Sequence, residues 1–308
     1  MVGAATISPG TVMSALFGFD PADTEHLVVV EKRVPRTLIG VVVGAALGLA
    51  GTVAQGATRN PIADPGILGV NVGAALFVVL GISLAGASSL SGYVWFAFAG
   101  AAIATVVVYS VASVGREGAT PVKLALVGSA VAAACGSLIT AIVLTDTAAL
   151  NTIRFWQVGA IAGRGYDVFW QMLPTLLLGI ALALVLGRQL NGLALGDDVA
   201  RGLGQRVGLT RTLGAAAIVL LCGSATAAAG PIVFVGLAVP HIVRAFVGTD
   251  YRRILLGSLV LGPVILLACD IIGRTIVQPG ELEVGIVTAV VGAPFFIALV
   301  RRRRLPAL

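Results

Sequence analysis

Residues 188–211, RQLNGLALGDDVARGLGQRVGLTR, form the longest polar interruption between two strongly apolar halves of the chain. Gly196-Asp197-Asp198 reads as a helix start, because an Asp side chain accepts hydrogen bonds from the free N–H groups of a first turn. Val199, Ala200 and Leu203 follow at helical spacing, and Gly202 and Gly204 loosen or end the turn. Leu190, Leu193 and Leu195 come just before, so the stretch divides into two short amphipathic pieces joined at a glycine. Such a segment is either a docking ledge lying along a membrane surface or a solvated loop between two spans. The residue types alone leave both open.

Working outward, the composition decides the class. Hydrophobic residues make up 58% of the chain and charged residues 11%, with a mean hydropathy of +1.03. A soluble domain carries about 25% charged residues, so this is an all-α polytopic membrane protein. Cys135, Cys222 and Cys269 fall in apolar runs without metal-ligand spacing, which fits single thiols packed as small hydrophobes. The net charge of +6 calls for no nucleic acid, since basic residues at membrane edges give the same excess.

Residues 1–35 lack the pattern of a signal peptide and read as an extracytoplasmic segment with an acidic turn at Asp20, Asp23 and Glu25. Apolar runs follow near 36–56, 67–85, 92–113, 122–145, 170–187, 212–229, 232–247, 254–273 and 284–300, which predicts about nine transmembrane helices. The run 232–247 is short enough to suggest a broken or tilted element. Basic residues set the orientation. Arg59, Arg116, Lys123, Arg188, Arg201, Arg206, Arg211, Arg244, Arg252, Arg253 and Arg301 to Arg304 fall on one side, fourteen in all. Lys32, Arg33, Arg36, Arg154, Arg164 and Arg274, six in all, fall on the other. The richer side is expected to be cytoplasmic, with the C-terminus and the 188–211 segment on it.

Small-xxx-small pairs at Gly44/Gly48, Gly69/Gly73 and Gly159/Gly163 predict close helix packing in lipid. Gly230-Pro231 and Pro240 bracket FVGLAV, so the backbone is expected to be interrupted at membrane depth, lining a cavity or marking irregular packing. Asp270 and Arg274 stand one turn apart and can pair, which leaves a local ion pair and a functional role for Asp270 equally open. No chain of carboxylates or histidines crosses the bilayer. His26 and His241 are expected on opposite sides, and HExxH, nucleophile-elbow and GxxxxGK[ST] patterns are absent from the sequence. Uphill transport by this chain therefore requires energy from a separate subunit.

Three further stretches carry a resemblance. RVPRTLIGVVVGAALGLAGTVAQGATRNPIADPGILGVNVGAAL (33–76), GPIVFVGLAVPHIVRAFVGTDYRR (230–253) and VGIVTAVVGAPFFIAL (284–299) resemble the signatures of membrane permease subunits of type II ABC importers. These are the permeases for iron–siderophores, haem and vitamin B12. The ledge LNGLALGDDVARGLG is similar to that family's cytoplasmic coupling helices. The resemblance implies a single transmembrane permease domain over residues 1–308, with a cytoplasmic coupling segment at 188–211. It implies no catalysis, metal or cofactor on this chain. ATP and Mg are used by ABC ATPase subunits, a solute-binding protein delivers substrate outside, and a second permease copy or paralogue completes a homodimer or heterodimer in lipid.

Carried over by position, the resemblance makes Arg33, Arg36 and Arg274 the docking residues for carboxylates of the binding protein. Arg33 and Arg36 anchoring a helix end at the headgroups is the alternative. Leu195, Gly196, Asp197, Asp198, Ala200, Arg201 and Gly204 become the ATPase-coupling residues, and Asn60, Ile62, Thr120 and Pro121 the gate on the translocation path. Two departures stand out. The family usually has ten spans, and the first, ahead of ATISPGTVMSALFG, is not in this sequence. Glu283 stands where the family usually has proline, in Glu281-Leu282-Glu283-Val284-Gly285, adding an acid near Arg274. The implied activity is alternating-access import of an iron–siderophore or related haem or cobalamin complex. The competing readings, an ion-coupled secondary transporter or a channel, predict coupling residues inside the spans or no ATPase partner.

Overall fold

The computed structural model describes residues 7–87, 89–115, 120–277 and 280–301. Arg116 and Arg302 to Arg304 of the charge comparison lie outside the described residues. The chain is nearly all helix. A surface helix α1 (Pro9–Phe17) leads to α2 (Thr24–Leu27), which runs through a π-helical turn, Val28–Arg33, into α3 (Val34–Thr58). Then follow α4 (Val70–Ala85), α5 (Leu90–Ala112), α6 (Pro121–Val143), α7 (Thr147–Trp156) and α8 (Tyr166–Val185). The ledge is α9 (Gly187–Ala194) and α10 (Asp197–Gly202). The rest is α11 (Val207–Ile218) continuing through a π turn into α12 (Ser224–Ala229), α13 (Val235–Val247), α14 (Tyr251–Ile276) and α15 (Val284–Arg301).

Among the described residues six helices are long and apolar enough to cross a membrane, and Val70–Ala85, Val235–Val247 and Val284–Leu299 are shorter apolar helices. All of these coincide with the expected runs. Boundaries moved outward where a polar first turn is helical, because a hydropathy reading discounts polar caps: Asp250 caps α14 and Thr120 caps α6 through their side chains. The first run changed most. It was expected from about residue 36, yet helix is continuous over Thr24–Thr58. Pro35 offers no N–H and crowds the carbonyl one turn back. The π turn before it accommodates this by pairing the Val34 N–H with Val29 O, five residues earlier.

The core is set by how closely α3 approaches its neighbours. Gly40, Gly44 and Gly48 line one face of α3 and meet Leu267, Gly262 and Ser258 of the antiparallel α14. A Cβ on Gly44 would sit 2.7 Å from Gly262 O and from the Pro263 backbone, and one on Gly48 2.8 Å from Ser258 O. Because these obstacles are backbone, neither can move aside. The seam continues as Thr52 Oγ1 to Ser258 Oγ at 2.8 Å, both buried. Gly51 lies against the Gly236 carbonyl of α13, and Gly73 of α4 against Gly100 of α5.

The other expected glycine pairs behave differently. Gly69, Gly159 and Gly163 all have positive φ and lie at turns or in loops, so they serve backbone turning rather than helix packing. The expected break is real but shorter than its bracket: residues 230–234 are non-helical, whereas Pro240 sits inside α13. The freed backbone is satisfied by a neighbouring loop, with Ala160 N donating to Ala229 O at 2.7 Å and Gly285 N to Gly159 O at 2.9 Å. The break also borders a cavity of about 270 Å³ lined by Phe234, Val235, Ala238, Cys269, Thr288 and Phe295. His241 lies within α13, its ring edge-on to Phe295 of α15.

The seam predicts a sharp contrast between glycines. Gly44→Ala should cost about 1–3 kcal/mol, the usual penalty for overpacking, whereas Gly136→Ala on α6, with nothing within 4 Å of an added Cβ, should not destabilise. Thermal unfolding of the two variants in one detergent checks this; equal midpoints would contradict the seam.

Candidate functional site

Apart from Thr120 and Pro121, which start α6, the residues singled out from the sequence gather at the two ends of α3. At its first end Arg36 reaches across to α14. Its Nε and Nη2 donate to Asp270 Oδ1 at 3.1 and 2.8 Å, and its Nη1 to Glu281 at 2.7 Å. Arg274 holds the other Asp270 oxygen at 2.8 Å. Asp270 is 1% exposed, and the two guanidiniums 12% and 13%. The expected Asp270–Arg274 pair is therefore present but is half of the arrangement: one buried carboxylate is shared by two arginines, which makes their proximity tolerable. Arg33 lies one turn before Arg36, within electrostatic reach of Arg274, Glu281 and Arg36.

Of the two acids in the following loop, Glu281 rather than Glu283 forms the salt bridge. Glu283 is half-buried, and burial pushes its carboxyl above the usual range against the pull of Arg36 and Arg164. Glu281 was not among the residues read as functional; its signal was an acid following Arg274 at loop distance.

The ledge lies beyond the second end of α3. Leu190 and Leu193 of α9 and Ala200 of α10 are fully buried, while Leu195, Val199 and Leu203 are 62%, 49% and 66% exposed. The two amphipathic pieces do meet at a glycine, Gly196, whose φ of 107° is outside the range of ordinary side chains. The helix does start at Asp197, but the expected capping does not occur: Gly196 is the cap residue and no side chain caps the turn. Asp197 turns inward instead. Its Oδ2 lies 3.1 Å from Arg211 Nη1 on α11, and its Oδ1 accepts from Arg211 Nη2 at 3.1 Å and faces Arg59 Nη2 at 3.4 Å. Asp198 points to solvent at 98% exposure and pairs with Arg201 at 3.2 Å.

Behind the ledge, Asn191 ties α9 to α14. Its Nδ2 donates to Asp250 Oδ1 at 2.7 Å and its Oδ1 accepts the Tyr251 N–H at 2.8 Å. That amide, with the Arg252 N–H, holds the Asp250 carboxyl below the usual range.

Arg59 also sets the turn into Asn60 and Ile62, two of the residues expected to form a gate. It ends α3 in the left-handed conformation (φ 52°), and the chain turns sharply into Asn60. Asn60 Oδ1 accepts the Ile62 N–H at 3.1 Å, closing a turn typical of Asn. Thr120 caps α6 by accepting the Lys123 N–H at 3.3 Å, and Pro121 is the first residue of that helix. Gly204 lies beyond α10 with φ of 80°. The structure thus brings together Arg36 with Arg274 at one end, and Asp197 with Arg59, the residue before Asn60, at the other. Sequence reading missed Arg59 and Arg211 as partners of Asp197, because no spacing rule links residues so far apart. Among the described residues no group of three or more His, Cys, Asp or Glu could hold a metal ion.

Comparison with known proteins agrees with this architecture. The ferric enterobactin transport system permease protein FepD of Escherichia coli (strain K12) is 45% identical over 303 residues, covering 98% of this chain and 90% of that protein. The Fe(3+)-citrate import system permease protein YfmD of Bacillus subtilis (strain 168) is likewise 45% identical over 303 residues, with the same coverage. A solved structure described as an inward-facing conformation of a metal-chelate type ABC transporter superposes with a TM-score of 0.82 at 28% identity, covering 94% of this chain and 96% of that one. The model of the FecCD transport family matches residues 1–302, and the chain belongs to that family, as a permease subunit of the type II ABC importer kind.

Proposed function

We propose that this chain is the membrane subunit through which an iron(III) chelate passes from an extracytoplasmic binding protein into the cytoplasm, powered by ABC ATPase subunits. Two permeases, identical or paralogous, frame the path in the lipid bilayer. The observation that carries the reading is the ledge. Leu195, Val199 and Leu203 are exposed apolar side chains within the long polar interruption at 188–211, beside the buried Ala200. That is the form of a surface that seats in a protein groove. The excess of basic residues on the ledge side supports placing it and the C-terminus in the cytoplasm. The relatives' cargoes, ferric enterobactin and Fe(3+)-citrate, support an iron chelate over haem or cobalamin.

At the opposite end, Arg33, Arg36 and Arg274 form the docking patch for the binding protein's carboxylates. Glu281 occupies part of Arg36 in the undocked state, so docking exchanges one carboxylate for another. ATP binding and hydrolysis, with Mg, occur in the partner subunits; this chain responds by alternating access past the loop at Asn60 and Ile62 and the helix start at Thr120 and Pro121. An ion-coupled carrier would need a free acid within the spans. Asp270 is instead held by Arg36 and Arg274.

Purification from the native membrane in mild detergent tests the reading: an ABC ATPase should accompany the chain, and recovery of the chain alone, where a control importer stays whole, would count against it. Leu203→Asp should abolish that association while leaving the bundle folded by circular dichroism. Glu281→Gln should tighten binding-protein docking by about twofold to fivefold, the range of an exposed ion pair. Titration of the purified permease with binding protein at low and high salt measures this; weaker docking would remove Arg36 from the patch.

A further inference from the structure

We infer that Asp197 is the positioning residue that transmits ledge movement to the gate, acting through Arg59 and not as a contact for the ATPase. The inference rests on the importer reading and goes beyond it by assigning the link. Of the paired acids at the start of α10, only Asp198 faces outward, at 98% exposure; Asp197 is 22% exposed and turned toward the bundle. Its two oxygens are shared between Arg211, on the helix that follows the ledge, and Arg59, the last residue before the Asn60 loop. A residue whose carboxylate is committed to two guanidiniums of its own chain is poorly placed to hold a partner.

The geometry at Arg59 makes the link mechanically specific. The residue sits at φ 52° and ψ 38°, a conformation that non-glycine residues adopt rarely. Its N–H closes the end of α3 on Gly56 O at 3.4 Å, and the next N–H, of Asn60, reaches back to Gln55 O at 3.1 Å. The direction in which the chain leaves α3 toward Ile62 therefore depends on the backbone of Arg59, while its side chain is held by α10. Within the ledge, α10 can swing relative to α9 at Gly196, where φ is 107° and a side chain would come no closer than 3.6 Å to the Arg59 guanidinium. A rotation of α10 about that glycine displaces Asp197, and with it Arg59 and the mouth of the Asn60 loop. Arg211 is the second arm, so the start of α11 moves with the ledge.

The test separates coupling from assembly. Asp197→Asn keeps size and loses charge. In vesicles holding the complete transporter, uptake of a ferric chelate per ATP hydrolysed should fall at least about fivefold, the low end of coupling between distant sites. Co-purification of the ATPase and the melting midpoint should stay at wild-type values. Arg59→Gln, at a residue 41% exposed, should have the same effect, and the double variant should be no worse than either single one, as for two ends of one link. Asp197→Glu should restore part of the ratio. If Asp197→Asn instead lost the ATPase in proportion to uptake, Asp197 would be a docking contact and the inference wrong. Full uptake by Arg59→Gln would overturn it as well, and that variant decides the matter should Asp197→Asn fail to fold. Failure of the wild-type chain to bind any ATPase would count against the importer reading itself, a distinct outcome.

Discussion

The contact on which the rest of the molecule depends is backbone against backbone, where Gly44 and Gly48 of α3 lie on Gly262 and Ser258 of α14. In lipid there is no hydrophobic drive to bring helices together, because tails are as apolar as leucine. Close van der Waals approach and a few hydrogen bonds must do it, and the Thr52–Ser258 pair supplies one of those within the seam. Once this register is fixed, the ends of α3 are fixed too. Arg36 falls opposite Asp270, and Arg59 emerges beside the ledge. Both arginine–carboxylate clusters inherit their position from glycines that take no part in either.

Each end of α3 then uses the same device, one carboxylate shared between an arginine in or capping α3 and an arginine of another helix. The two differ in depth. Asp270 is 1% exposed and Asp197 22%. A deeply buried carboxylate held by two guanidiniums adds little net stability, since desolvation offsets attraction, but losing a partner there is costly. It therefore works as a rigid locator. At Asp197 water screens the charges and lowers the cost of rearrangement, so the same pairing can break and remake. The contrast assigns the rigid role to the end where a binding protein would dock and the adjustable one to the end where an ATPase would push.

Local pattern carried much of this into the sequence. Apolar runs located every long helix, the GxxxG spacing at Gly44 and Gly48 located the seam, and the interval from Asp270 to Arg274 located half of the buried cluster. What could not be read depends on separation along the chain. Arg36 meets Asp270 and Arg59 meets Asp197 across gaps that no period spans, and only the folded register joins them. The Asp197 cap failed for a related reason. A local rule offered the carboxylate to the first-turn N–H groups, and two cations brought in by tertiary structure outcompeted them. Gly159 and Gly163 fit a helix-packing spacing by chance, in a chain with 40 glycines, and proved to be turn residues.

The break after α12 shows how such a fold keeps irregular backbone at membrane depth. Ala229 O is left where α12 ends and Gly159 O lies in the loop beside it, and a buried backbone group without a partner is expensive. Here they accept from Ala160 and Gly285, so three chain segments satisfy one another without water. Gly230 and Gly285 approach the carbonyls of Trp156 and Val158 so closely that neither position admits a side chain. This rigid knot sits toward the Arg36 end, beside the cavity that Phe234 and Phe295 help to line. Alternating access needs one part of the wall to hold its shape while another moves. The interlocked loops, closed by backbone hydrogen bonds, are suited to the first, and the inferred Gly196 hinge with the screened Asp197 link to the second.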